Sequence, residues 1–200
     1  MRKATPTAAQ VRAFWKYMQK AYKTQVITKA DSDEMKLAGW FLEKMGIQSK
    51  KTFLKRFTTT IGHKIYTPVK IGQGKAADRR NQFALCVHEH RHVLQFDKDP
   101  LSFLFNYATS STKRSIYEVE AYRTNMELHY YFTGELLDIN ILGDTLRSYG
   151  CSKKDVRIFK KYLRMSAETI KRGGVSDSLT KKAIKWLEGQ RTLRRVVRAR

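Results

Sequence analysis

The chain has 200 residues, 42% of them hydrophobic and 12% aromatic, with 40 Lys and Arg against 18 Asp and Glu for a formal net charge of +22. That is enough apolar material for a real core, and it excludes an acidic carrier or a disordered chain. Two cysteines, Cys86 and Cys151, exclude a disulfide-dense miniprotein and an all-cysteine zinc site.

No apolar run nears the ~18 residues that a membrane span needs. The basic start, Met1-Arg2-Lys3, has no apolar stretch behind it. No secretory signal is therefore expected, and the expected location is a reducing compartment such as the cytoplasm, or a particle assembled there.

In chain order, Ala8, Val11, Trp15, Met18 and Tyr22 recur at spacings of three and four, which predicts an amphipathic helix. Asp31 is the expected cap of a second helix, with Met35, Ala38, Leu42 and Met45 inward and Gly46 as its stop. From Thr58 to Ile71 the period changes to two, and Ile61, His63, Ile65, Thr67, Val69 and Ile71 share one side. This predicts a strand or hairpin pair, at a sheet edge because Pro68 cannot donate to a ladder. Gly72-Gln73-Gly74-Lys75 lacks the first glycine and the Ser/Thr of a nucleotide-binding loop, and reads as a turn.

A helix is expected from Ala76 to about Phe96, followed by a short one with Asp99 as cap and Pro100 at its first position. Further helices are expected over Thr112–Phe132 and Glu135–Tyr149, stopped by Gly134 and Gly150. Ser152 with Asp155 opens another, its Val156, Phe159, Leu163 and Ile170 facing inward, and a last helix starts near Ser176. The expected fold class is α+β, predominantly α-helical, with a small β-sheet next to the central helix. Three stretches belong to one compact domain: helices over 1–57, a core over 58–133, and helices with a basic tail over 134–200.

The chemistry concentrates in His88-Glu89-His90-Arg91-His92. His88 and His92 lie one helical turn apart, so both imidazoles can hold one zinc ion from the same side. Glu89 stands beside them, where a carboxylate can take a proton from a water on that ion. His90 and Arg91 point away from the metal, and a charge there needs solvent or an acidic partner.

A third ligand is expected from the helix that carries Glu118 and Glu120. Two residues apart on a helix is about 200° of rotation, so only one of them can face the ion. Glu118 is the choice, because Arg114 and Tyr122 lie one turn to either side and could orient it. Tyr117, Tyr122, Arg123 and His129 are the available donors for a developing oxyanion. Cys86 falls off the metal side and reads as a buried thiol, and Cys151 as packing at a helix start.

His88-Glu89-x-x-His92 followed by Glu118-Val119-Glu120-Ala121-Tyr122 resembles the zincin metallopeptidases, in the gluzincin arrangement where a glutamate is the third ligand. The match covers roughly residues 58–133, and small metallopeptidase-like proteins encoded by bacteriophages have a similar build. The resemblance implies a zincin-like core, Zn2+ held by His88, His92 and Glu118, and Glu89 as general base. It also implies a peptide or protein substrate held by strand addition along Ile61–Val69. This chain has Tyr122 where that family usually has an acidic residue.

The charge supports a second expectation. Residues 151–200 carry 16 basic and 4 acidic side chains, and the last ten hold Arg191, Arg194, Arg195, Arg198 and Arg200 with no acid. Such a tail attracts nucleic acid or an acidic protein surface. The competing readings are therefore a zinc peptidase, a structural virion component of zincin fold that binds a polyanion, and a zinc-free helical DNA-binding module.

Overall fold

The computed structural model describes residues 5–44 and 49–198, and side chains for all of these except 41, 42 and 191–198. Among the described residues the chain is mainly helical with one three-stranded sheet. Helix α1 (Ala8–Tyr22) starts in a reciprocal cap between Thr7 and Gln10 and ends at Lys23 in the left-handed region. It buries Val11, Phe14, Trp15 and Met18. Strand β1 (Gln25–Thr28) and a 3-10 turn (Lys29–Asp31) lead into α2 (Asp33–Lys44). The Ser32 hydroxyl, and not Asp31, accepts from the Met35 amide and caps this helix. The expected stop at Met45 and Gly46 lies outside the described residues.

A short α3 (Lys50–Arg56) follows, capped by Ser49. Period-two patterning then yields two strands, β2 (Thr59–Ile61) and β3 (Lys64–Thr67), joined by Gly62 and His63. Gly62 has a φ of 57°, in the region that favours glycine. His63 ties this turn to its surroundings through the Tyr22 carbonyl (2.8 Å) and Asp97 (2.9 Å). The strand order is β1-β3-β2, with β3 parallel to β1 and antiparallel to β2.

Two expectations are corrected here. The Pro68 segment is not an edge strand: β3 is central and stops at Thr67, one residue before the proline would interrupt the ladder. The free edge that borders the site belongs to β2. The expectation also lacked β1, whose four residues are too few to show a period, and α3.

The central helix α4 spans Ala76–Lys98. It is followed by α5 (Pro100–Thr109), capped by Asp99, and α6 (Ser111–Thr133), capped by Ser110 and closed by Gly134 at φ 74°. Helix α7 (Ile139–Ser148) starts four residues later than expected, because Asp138 supplies the cap. Helices α8 (Lys153–Lys171) and α9 (Ser178–Arg198) complete the order, α8 with the expected Ser152 cap.

The main core joins distant parts of the chain. Phe14 and Trp15 of α1, Phe83 and Val87 of α4, Leu128 of α6 and Leu187 of α9 are buried together. A second cluster packs Tyr122 and Met126 of α6 against Val156, Phe159, Leu163 and Ile170 of α8. The first holds α4 against α6, the pair on which the site is built, and the second braces α6 against α8. No described helix is long and apolar enough to cross a membrane.

Candidate metal centre

Helix α4 turns 100° per residue, so His88 and His92 share a face toward Glu118 of α6, Glu89 and Arg91 flank that face on opposite sides, and His90 points to the rear. His88, Glu89, His92 and the facing Glu118 are all buried. His88 Nε2 lies 3.7 Å from Glu118 Oε2, and His92 Nε2 lies 3.4 Å from Glu118 Oε1. Each of the three residues offers one ligand atom, and these atoms lie within 4.8 Å of one another.

The opposite imidazole nitrogens fix which atom is free. His88 Nδ1 meets Asn125 Oδ1 at 3.1 Å and His92 Nδ1 meets Gln95 Oε1 at 2.8 Å. An amide oxygen only accepts, so each Nδ1 carries a hydrogen, and a neutral ring then presents its lone pair at Nε2. Gln95 is itself oriented, because its amide nitrogen donates to the Tyr117 carbonyl and to Glu120 Oε2. Burial and the neighbouring His92 push the His88 pKa down to about 3, which keeps this ring neutral.

Three acceptors thus converge with no hydrogen between them. Tyr107 donates to Glu118 Oε1 at 2.6 Å, yet Glu118 Oε2 is buried with no hydrogen-bond partner. A buried carboxylate oxygen without a partner is costly, and lone pairs on adjacent nitrogens do not relieve it. A cation does. Ligand atoms about 2.0–2.1 Å from one tetrahedral ion sit roughly 3.3 Å apart, close to the two distances found. The donor set of two imidazoles and one carboxylate fits a borderline divalent ion and leaves a position for another ligand.

Glu89 lies beside this group. The Thr60 hydroxyl, on β2, donates to Glu89 Oε2 at 2.7 Å. Burial raises the Glu89 pKa above its ordinary value. The residues open on a cavity of about 560 Å³ lined by Thr58, Thr59 and Thr60 on one side and Phe53, Phe103, Tyr107 and Tyr149 on others. Lys29, fully buried, stands behind β2: its ammonium donates to the Phe57 carbonyl (2.8 Å) and Thr59 Oγ1 (2.7 Å) and lies over the Phe53 ring. Burial pushes its pKa down to about 7.

Other expected residues take different places. Tyr122 packs its ring edge-on to His88, with centroids 5.0 Å apart, and burial raises its pKa. Arg114 does not touch Glu118. Its guanidinium donates to the carbonyls of Tyr107, Ala108 and Tyr149, because the α5–α6 turn brings those oxygens closer than the carboxylate. It thereby shapes the cavity wall.

Glu120 is turned away from the ligand group and pairs with Arg91 at 3.0 Å, and Asp177 lies 3.5 Å from the same guanidinium. These are the acidic partners that Arg91 needs. None of Tyr117, Tyr122, Arg123 and His129 lines the cavity. Tyr107 and Tyr149 do. The side chains of Arg191, Arg194, Arg195 and Arg198, and the whole of Arg200, lie outside the described residues.

Asn125, Gln95, Thr60, Tyr107 and Lys29 were not anticipated. Asn125 follows Glu118 by seven residues and Gln95 follows His92 by three, so both sit on the ligand-bearing faces and carry a readable signal. Thr60, Tyr107 and Lys29 reach the site only through the packing of other elements. No family model, curated protein or solved structure matches this chain, so the site rests on its own geometry.

Proposed function

We propose that the protein is a zinc-dependent hydrolase of peptide bonds. The observation that carries this reading is the buried Glu118 carboxylate, whose Oε2 has no hydrogen-bond partner and lies 3.7 Å from His88 Nε2 while its Oε1 lies 3.4 Å from His92 Nε2. His88, His92 and Glu118 would hold the ion. A bound zinc ion supplies Lewis acidity toward a carbonyl and lowers the pKa of a water molecule to near neutrality.

The remaining work falls to the chain. Glu89 takes a proton at a carboxylate oxygen and returns it to the leaving amine, and its burial brings its proton affinity toward the working pH. The Thr60 hydroxyl fixes the rotamer of that carboxylate. Tyr107 holds Glu118 Oε1, and Asn125 and Gln95 hold the two imidazoles in the required tautomer. An extended peptide lies along the free edge of β2, beside Thr58–Thr60, and its apolar side chain enters the aromatic part of the cavity.

The test is metal analysis of the purified protein, with cleavage of fluorescently labelled casein and a quenched peptide library. One zinc per chain is expected, and Glu89→Gln should retain the metal while losing about 10²–10⁴-fold in rate. Equal cleavage by Glu89→Gln, or a chain that takes up no divalent ion, rejects the reading.

A further inference from the structure

A second surface, independent of the metal centre, has the chemistry of a binding site. Helix α8 spends its apolar stripe on the core, where Val156, Phe159, Leu163, Ala167 and Ile170 are buried. Its outer side carries Lys153, Lys154, Arg157, Lys161 and Arg164, with Arg172 just past its end, all exposed. No carboxylate of a described residue forms an ion pair with any of these six.

The two acids of the helix are already engaged. Asp155 is buried and accepts from Ser111, Thr112 and Ser152. Glu168 pairs with Lys171 at 3.1 Å. Lys154, Arg157, Lys161 and Arg164 follow one another at one-turn spacing and form a column about 15 Å long. Like charges so placed repel, and among the described residues no ion pair neutralises them.

We propose that this column binds the phosphate backbone of nucleic acid without reading base sequence. A linear array of phosphates matches a linear array of cations, and Arg157 and Arg164 can each grip a phosphate with two N–H groups. An anionic bilayer fits less well. An interfacial helix buries its apolar face in lipid, and the apolar face of α8 is already buried in protein.

The experiment is fluorescence anisotropy of a labelled 20-nucleotide DNA, single-stranded and duplex, with the full chain across a salt series. The wild type should bind at least one form with an affinity that falls steeply as salt rises. The variant K154Q/R157Q/K161Q/R164Q should lower the slope of log Kd against log salt by about 3–4 and weaken binding at low salt at least tenfold. Its metal content should match the wild type, which separates this site from the hydrolase reading. If the fourfold variant fails to fold, R157Q and R164Q alone should each remove about 0.7–0.9 from the slope. Wild-type affinity and slope in these variants overturn the proposal, as does tighter binding to phosphatidylserine vesicles or polyglutamate than to DNA at equal salt.

Discussion

Three histidines lie within five residues on α4, and two faces of the helix use them in opposite ways. His90 is fully buried with both nitrogens engaged, Nε2 with Thr24 Oγ1 at 3.1 Å and Nδ1 with the Cys86 carbonyl at 2.6 Å. His88 and His92 hydrogen-bond through Nδ1 to Asn125 and Gln95, and their Nε2 atoms face the two oxygens of the Glu118 carboxylate. The same side chain is a structural tie on one face and a candidate ligand on the other. What separates them is the 100° step of the helix and the identity of the facing partner: a hydroxyl and a carbonyl behind, a carboxylate in front. Arg91 flanks the front face on the side away from Glu89, where Glu120 and Asp177 receive it.

The sharpest way to break this comparison is to remove a histidine from each face. His92→Ala should weaken zinc affinity by about 10²–10³-fold, one ligand's share of the binding free energy of a zinc site. His90→Ala should leave affinity within about twofold. Competition with a coloured chelator measures both, and equal losses would mean the two faces are not distinct.

The next largest effect concerns the residues behind the ligands. Asn125→Ala and Gln95→Ala should each cost about 10–100-fold in metal affinity by freeing an imidazole to rotate or change tautomer. Unaltered affinity in both would show that the helix alone holds the rings.

His90→Ala should instead register as stability. Loss of a fully buried ring and its two hydrogen bonds is expected to cost about 2–4 kcal/mol in urea unfolding. A cost below 0.5 kcal/mol would remove the structural role assigned to the rear face.

The smallest effect lies behind β2. Unfolded Lys29 keeps its proton up to its ordinary pKa of 10.5, whereas the folded group releases it at about 7. Between those values the unfolded state binds more protons, so this group makes stability rise with pH. Lys29→Met should flatten that part of the urea-midpoint profile. A profile with the wild-type slope would show that Lys29 is solvated in the native state.

Much of this architecture was legible in local signals. Asp99 with Pro100, Ser152 with Asp155, and Gly134 start or stop helices through bonds that span only a few residues. Helical rotation showed that Glu118 and Glu120 cannot both face the ion, but the choice of Glu118 rested on Arg114 and Tyr122, and Arg114 turns instead to backbone carbonyls. The misses have a common cause. β1 is four residues long and is a strand only because β3 pairs with it in parallel across 39 positions of sequence. The acceptor role of Arg114's neighbours depends on how the α5–α6 turn folds back, so its pairing could not be read from spacing.

By itself, then, the amino-acid order determined most of the helices, their inward faces and the one-turn spacing of His88 and His92, because each depends on periodicity within one element. The tertiary structure alone decided which strand edge borders the cavity and which groups orient the ligands across elements. It also decided that Lys29 and Thr60 stand behind Glu89. Those contacts join segments far apart in the chain, and they exist only because a shared core holds α1, α4, α6 and α9 together.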